Sequence, residues 1–258
     1  GMAMGDLFGE QSSNGALQLG LSIGFSIATV SVVYLGVQKG IERIARTFLP
    51  VLFVILVVLL FSALGMSGSG EALAFIFQPN FSELEPGAIL EALGHSFFTL
   101  SLGMGCMVTY GSYISKTQSV VKASAMIVLL DTLIALIATV IMFSVIFTVP
   151  GMEEQVGGST VGMLFISLPE LFFTEVPLGR FLGPLFYVLV ALAALTSTIS
   201  LLEVVTSYVI DEHGLARQKA TLMCGGTVFI FTILAAISFG AVSGVSNLVV
   251  PGAVGETL

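Results

Sequence analysis

The stretch HSFFTLSLGMGCMVTYGSY, His95–Tyr113, decides the fold because it is an apolar run of membrane length with a polar, glycine-rich centre. That centre brings Thr99, Ser101, Gly103 and Gly105 together. Glycine lowers helix stability by about 1 kcal/mol per residue, and nearby hydroxyls can bond the backbone groups that an unwound turn frees. The stretch therefore predicts a helix that is broken near its centre. From these residues alone, a small-residue face for helix packing is an equal alternative.

The composition is that of a membrane protein. Hydrophobic residues make up 56% of the 258 residues and charged residues 9%, and the mean hydropathy is +1.06, whereas soluble domains carry about 25% charged residues. A bilayer core about 30 Å thick requires about 20 helical residues. An all-α membrane protein is predicted, because the apolar runs lack the alternation of barrel strands. Six predicted transmembrane helices lie at about 17–37, 44–64, 86–115, 119–147, 183–209 and 220–239.

The basic residues predict the orientation of these spans. Seven of the eight Lys and Arg residues lie in or beside three alternate connections, and Arg180 is the exception. The positive-inside rule assigns their shared face to the cytoplasm. The longer connections on the other face, 65–87 and 149–180, carry apolar residues at helical spacing that predict short helices. The net charge of -8 opposes a nucleic-acid partner.

The sequence offers no motif for covalent catalysis. It contains no recognisable nucleophile–base pair or phosphate-binding loop. Cys106 and Cys224 match no metal or redox spacing. His95 and His213 are isolated, which favours a polar or interfacial role over metal ligation. The chain is therefore predicted not to be an enzyme.

Two other predicted spans carry polar residues that need a partner. Asp131 lies well inside the run at 119–147, where a charged and unpaired side chain costs roughly 2.5–3.5 kcal/mol. The stretch 196–198, TST, places three hydroxyls together in the fifth span, and Glu203 follows. Hydroxyl and carbonyl oxygens suit an alkali cation, although such a cluster alone is more typical of interhelical hydrogen bonding. Glu203 either braces neighbouring helices or takes part in gating.

A resemblance to a known family rests on four blocks of sequence. In chain order they are KGIERIARTFLP (39–50), FFTLSLGMG (97–105), TYGSYISK (109–116) and ALTSTISLLEVV (194–205). Together they resemble the neurotransmitter:sodium symporter family, whose bacterial members transport amino acids, over about residues 17–239. The resemblance implies the LeuT fold of inverted repeats, with the six spans similar to the fourth to ninth of the family. It implies that residues 1–258 form a single transmembrane domain, a fragment of a larger transporter of the bacterial inner membrane.

The resemblance assigns substrate and sodium contacts around the broken helix. Phe98 resembles the aromatic lid over the substrate, and Ser101 resembles a substrate contact in the unwound segment. Thr99 resembles a ligand of the first sodium. Met104 occupies a pocket-wall position that phenylalanine often holds, so the shape of the pocket and its preferred side chain stay open.

The resemblance also assigns contacts in the fifth span. The carbonyl of Ala193 and the hydroxyls of Thr196 and Ser197 resemble the second sodium site. Thr198 and Leu201 resemble residues that line the substrate pocket.

Asp131 departs most informatively from the family pattern. Its position resembles one commonly held by asparagine beside the first sodium, close to the chloride site of the animal transporters. A carboxylate there supplies the negative charge that chloride otherwise brings, so chloride is not expected to be required. The alternative is a neutral aspartic acid that is hydrogen-bonded within the bundle.

The function that the resemblance implies is sodium-coupled symport of an amino acid or a related amine by alternating access. The expected partners are that small-molecule substrate, sodium ions and the lipid bilayer. The alternative is a gated channel or a receptor-like helical bundle that uses the same broken helix for gating.

Overall fold

The computed structural model describes residues 4–78, 86–115, 117–148, 164–165, 168–174 and 178–238. All regular elements in this part of the chain are helical, as predicted. They are α1 Met4–Ser13, α2 Gly15–Tyr34, a π-helical turn Val37–Ile41, α3 Glu42–Leu64, α4 Ser69–Phe77, α5 Pro86–Thr99, α6 Cys106–Ser112, α7 Val120–Thr148, α8 Leu168–Thr174, α9 Gly179–His213 and α10 Arg217–Ser238.

Five of the six predicted spans correspond to continuous helices, and the remaining one is discontinuous, as predicted. Within the described residues, five helical segments are long and apolar enough to cross a membrane: Gly15–Tyr34, Val37–Leu64, Val120–Thr148, Gly179–His213 and Arg217–Ala236. The sixth predicted run, 86–115, is divided into α5 and α6, which are 14 and 7 residues long. The short helices predicted for the two long connections are present as α4 and α8.

The fifth predicted span is longer than its apolar run. α9 begins at Gly179 and ends at His213, whereas the sequence predicted residues 183–209. Gly214, with a φ of 62°, ends the helix, and its amide donates to the carbonyl of Ile210 at 2.9 Å. Apolarity marks the part of a helix that suits the membrane, but the hydrogen-bond ladder continues through polar residues until a left-handed residue stops it.

The chain forms two compact units, and the first is built from its two ends. This terminal unit consists of Gly1–Thr47 and Ala193–Leu258. In it, α2 packs along α10. The approach is close, because a Cβ atom on Gly225 would lie 2.6 Å from the Cγ2 atom of Val30. The buried apolar core of this unit consists of Val32, Val33, Ile199, Leu202, Val209, Ala220 and Cys224.

The central unit consists of Phe48–Leu192. Its core is formed by α3, α7, α8 and the first part of α9. The buried members of this core are Ile55, Leu56, Leu59, Ala63, Met66, Ile141, Val145, Leu168, Phe172, Leu182 and Phe186. α4 lies against the end of α7, where the ring of Phe75 is 4.9 Å from that of Phe143 and 5.6 Å from that of Phe147. The grouping of residues 1–258 into one transmembrane domain stays a prediction.

Candidate functional site

The break in the third span begins with a left-handed serine. The amide of Leu102 donates to the carbonyl of Phe97 at 2.8 Å, and the amide of Ser101 donates to the carbonyl of Phe98 at 3.0 Å. This pair of bonds ends α5 in a Schellman motif, whose left-handed residue is usually glycine. Here Ser101 takes that position with a φ of 54°. A left-handed residue that is not glycine costs roughly 1–2 kcal/mol, so the break stores backbone strain.

Two glycines complete the break. Gly103 and Gly105 have φ values of 82° and 81°, in the region that glycine occupies at no steric cost. Gly105 precedes the first residue of α6, and its carbonyl accepts the amide of Thr109 at 2.9 Å. Helix ends leave backbone amides and carbonyls without partners in the helical ladder. The break therefore makes backbone polar groups available near the middle of a membrane-length run.

The side chains around the break are exposed in the described chain. Phe98 is 72% exposed and Met104 is 38% exposed. Thr99 is also exposed, and its hydroxyl donates to the carbonyl of Ser96 at 3.3 Å. Four of the predicted contacts, Phe98, Thr99, Ser101 and Met104, are neighbours in the sequence, and their assignment as contacts stays a prediction.

Asp131 lies on α7, in the same unit as the broken helix. Its side chain is half-buried. Within the described ranges it takes part in no hydrogen bond or ion pair, so the structure does not join it to Thr99. The predicted alternative of a neutral, hydrogen-bonded aspartic acid finds no partner in this part of the chain.

The predicted second sodium ligands form a cluster within one turn of α9. The hydroxyl of Thr196 donates to the carbonyl of Ala193 at 2.8 Å, and that of Ser197 donates to the same carbonyl at 3.2 Å. These bonds hold three oxygens together and leave the lone pairs of both hydroxyls available to a cation. Among the residues that the structure describes, no group of three His, Cys, Asp or Glu side chains can hold a metal ion. The oxygens of this turn are neutral, as the sequence predicted.

The next residues of α9 line a cavity in the terminal unit. Thr198 and Leu201 border a cavity of about 560 Å³ between α2, α9 and α10. The hydroxyl of Thr198 lies 3.0 Å from that of Thr29 on α2. Thr29 was not among the residues predicted from the sequence, because a threonine in an apolar helix carries no distinguishing signal.

Glu203 has a partner that the sequence did not assign. Its carboxylate is fully buried and forms a two-point ion pair with Arg217, with distances of 2.8 Å (Nη1–Oε2) and 2.5 Å (Nη2–Oε1). Arg217 also donates to the carbonyl of Val33 at 3.2 Å. The pair joins α9 and α10 and supports the bracing role considered for Glu203. The sequence did contain one indication of such a partner. A glutamate inside a span needs a nearby cation, because an unpaired buried charge is strongly unfavourable.

Comparison with protein families and curated proteins gives consistent matches. A model described as the sodium:neurotransmitter symporter family matches residues 5–250. The chain is 35% identical over 241 residues to the uncharacterized sodium-dependent transporter YhdH of Bacillus subtilis, covering 93% of this chain and 52% of YhdH. It is 30% identical over 213 residues to an uncharacterized sodium-dependent transporter of Haemophilus influenzae, covering 83% and 46%. It is 24% identical over 213 residues to the sodium-dependent nutrient amino acid transporter 1 of Drosophila ananassae, covering 77% and 33%.

A solved structure matches the fold as well. The crystal structure of MhsT in complex with L-phenylalanine is similar with a TM-score of 0.78 and 37% sequence identity, over 92% of this chain and 53% of MhsT. This match supports the predicted LeuT-type bundle. The chain spans about half the length of the curated relatives it matches, from 52% of YhdH to 46% of the Haemophilus influenzae protein.

Proposed function

Because the chain belongs to the sodium:neurotransmitter symporter family, we propose that the full-length protein couples sodium entry to the uptake of an amino acid or a related amine. Residues 1–258 form one transmembrane part of that larger transporter. The mechanism is alternating access, in which sodium and substrate bind more tightly to some conformations than to others and so shift their populations. The protein carries out transport without covalent chemistry.

The observation that carries this proposal is the break between α5 and α6. Ser101, Gly103 and Gly105 adopt left-handed backbone conformations inside a membrane-length run. Non-helical backbone at membrane depth is tolerated only where it is covered by protein or lines a cavity. In transporters, such discontinuous helices hold ions and the charged ends of substrates. A helix that served only for packing has no need of this strained turn.

Two sodium sites are proposed. Thr99 and Asp131, both in the central unit, are ligands of the first ion. The oxygens of Ala193, Thr196 and Ser197 are ligands of the second. The local cluster of these three oxygens supports the second assignment, since both hydroxyls already lie within hydrogen-bond distance of the carbonyl.

The proposed substrate contacts contain no charged side chain. They are Phe98, Ser101, Met104, Thr198 and Leu201. Among the groups that residues 1–258 supply, backbone amides and carbonyls and the bound sodium balance the charges of an amino acid, which links substrate binding to sodium binding. The flexible side chain of Met104 can adapt to substrates of different shape. The complex of MhsT with L-phenylalanine and the name of the Drosophila ananassae relative support an amino acid as the substrate.

Chloride is not required in this proposal. A carboxylate at Asp131 supplies a fixed negative charge beside the first sodium, and a chloride ion nearby would be repelled by it. Location in a bacterial inner membrane is part of the proposal too. Five membrane-length helices support a multi-pass protein, and two of the similar transporters are from Bacillus subtilis and Haemophilus influenzae.

Counterflow tests this function against a channel. The full-length protein is reconstituted in proteoliposomes that are loaded with a high concentration of unlabelled substrate, and labelled substrate is added outside. A symporter exchanges the two and transiently accumulates label, provided that sodium is present on both sides. A channel cannot accumulate label by exchange, so sodium-independent equilibration without an overshoot would contradict the proposal.

A further inference from the structure

Thr29 is a buried hydroxyl residue that none of the predicted sites includes. It lies on α2, is 7% exposed, and has its Oγ1 atom 3.0 Å from the Oγ1 atom of Thr198 on α9. Both residues belong to the terminal unit and border the same cavity of about 560 Å³. Thr198 immediately follows the two hydroxyls proposed as sodium ligands and is itself a proposed substrate contact. Thr29 is therefore in direct contact with a residue of the proposed site.

The hydroxyl protons of this pair are too few for the contacts they make. Thr29 Oγ1 is 3.0 Å from the carbonyl of Phe25, and Thr198 Oγ1 is 3.0 Å from the carbonyl of Leu195. With the contact between the two hydroxyls, three hydrogen bonds would share two protons, because each threonine donates one. A hydrogen bond between the two hydroxyls therefore uses the proton of one threonine, and only the other threonine then donates to its own helix.

Both possible arrangements fix the orientation of the Thr198 hydroxyl. If Thr29 donates to Phe25, the proton of Thr198 points at Thr29. If Thr29 donates to Thr198, the proton of Thr198 points at Leu195. In each case the proton is held within the helices, and Thr198 keeps at least one lone pair free as an acceptor. Without the Thr29 hydroxyl, only the carbonyl of Leu195 would constrain that proton.

We propose that Thr29 is a positioning residue for substrate binding: it orients the hydroxyl of Thr198, and it acts on the substrate only through Thr198. This inference rests on the proposed function, because it requires Thr198 to contact the substrate. In this proposal Thr29 contacts Thr198 rather than the substrate, and the hydroxyls of Thr196 and Ser197 donate to the carbonyl of Ala193 and not to Thr29.

A double-mutant cycle in the full-length transporter tests this role. The variants are Thr29→Val, Thr198→Val and the double variant, since valine keeps the shape of threonine and replaces its hydroxyl by a methyl group. Sodium-dependent uptake is measured with a panel of tritiated L-amino acids that includes L-phenylalanine, and the best substrate of the wild type is used throughout. Thr29→Val is expected to raise the KM about threefold to tenfold, the range for one lost hydrogen bond, with little change in kcat. In the Thr198→Val background the same change is expected to have no effect on KM.

Two further variants separate positioning from a general effect on the fold. Thr29→Ser keeps the hydroxyl and is expected to restore the wild-type KM. Thr221→Val is the matched control, because Thr221 is fully buried on α10 and its hydroxyl has no hydrogen-bond partner among the described residues. It is expected to leave KM unchanged.

Each remaining outcome contradicts the inference. An equal rise in KM from Thr29→Val in both backgrounds would mean that Thr29 acts independently of Thr198. A wild-type KM for Thr29→Val, or a Thr29→Ser variant as impaired as the valine variant, would also overturn it. If the wild type itself shows no sodium-dependent uptake of any amino acid in the panel, the proposed function has failed, and this inference fails with it.

Discussion

The carboxylate of Glu203 and the guanidinium of Arg217 form a two-point ion pair between α9 and α10, with oxygen–nitrogen distances of 2.5 and 2.8 Å. The glutamate side chain is inaccessible to solvent, whereas that of Arg217 is 25% exposed. Arg217 also donates to the carbonyl of Val33, near the end of α2. One guanidinium thus connects three helices of the terminal unit, and its planar group with five donors suits this role better than a lysine ammonium would.

Breaking this pair should destabilise the transporter. Arg217→Leu removes the cation of the pair while the carboxylate of Glu203 stays buried, and we expect the free energy of unfolding to fall by roughly 3–5 kcal/mol. Arg217→Lys keeps the charge but not the two-point geometry, so its stability should be intermediate between those of Arg217→Leu and the wild type. Thermal unfolding of the full-length protein in detergent measures the effect.

The exposed pair of Arg46 and Glu42 provides the control for that experiment. These side chains are 79% and 52% exposed and lie 2.6 Å apart. Exposed ion pairs contribute about 0–1 kcal/mol, so Arg46→Leu should change the melting temperature little. If Arg217→Leu lowers the melting temperature no more than Arg46→Leu does, the buried pair does not brace the helices.

The left-handed conformation of Ser101 gives a second prediction. Ser101→Gly removes both the hydroxyl and the backbone strain, whereas Ser101→Ala removes the hydroxyl and keeps the strain. The glycine variant should therefore be more stable than the alanine variant by about 1 kcal/mol. Both variants should bind substrate more weakly, because the proposed hydroxyl contact is gone. Equal melting temperatures of the two variants would argue against a left-handed residue at this position.

The sequence predicted the location of the break but not its geometry. Helix propensity is a local property, and the low propensity of Gly103 and Gly105 correctly indicated where the helix is broken. The first left-handed residue is Ser101, because the amides of Ser101 and Leu102 bond back to the carbonyls of α5. A serine has no marked preference for that conformation, so its position depends on hydrogen bonds that form only in the folded helix end.

The partners of Glu203 and Thr198 were harder to predict for a different reason. Thr29 and Thr198 are 169 residues apart in the chain, and their contact depends on how α2 packs against α9. Arg217 was recognised only as one of the basic residues that mark orientation. Periodicity identifies which residues lie on a helix, but it does not identify which helix each face meets.

The second sodium site leads to a third prediction. Replacing Thr196 by valine and Ser197 by alanine removes two hydroxyl ligands while both residues still fit a helix interior. The sodium affinity of the full-length protein should fall while its fold is kept. The sodium dependence of substrate binding measures that affinity. Thr227→Val is a suitable control, since the hydroxyl of Thr227 is exposed and donates to the carbonyl of Met223 on its own helix. Unchanged sodium dependence in the double variant would contradict the assignment.

The charge of Asp131 leads to a fourth prediction. Wild-type uptake at fixed sodium should be the same in chloride and in gluconate, because the carboxylate balances the charge of the first sodium. Asp131→Asn keeps the size of the side chain and removes its charge, so uptake should fall in gluconate and recover in part in chloride. Chloride dependence of the wild type would contradict the prediction, and full activity of the asparagine variant in gluconate would favour a neutral aspartic acid.

The most direct measurement of sodium coupling is uphill uptake by the full-length protein in proteoliposomes. An inward sodium gradient is imposed at a clamped membrane potential, and the internal concentration of a labelled amino acid is followed. Sodium-coupled symport predicts accumulation above the external concentration, which collapses when the sodium gradient is removed or replaced by an equal potassium gradient. Internal label that never exceeds the external concentration, or accumulation that persists without the sodium gradient, would contradict sodium-coupled symport.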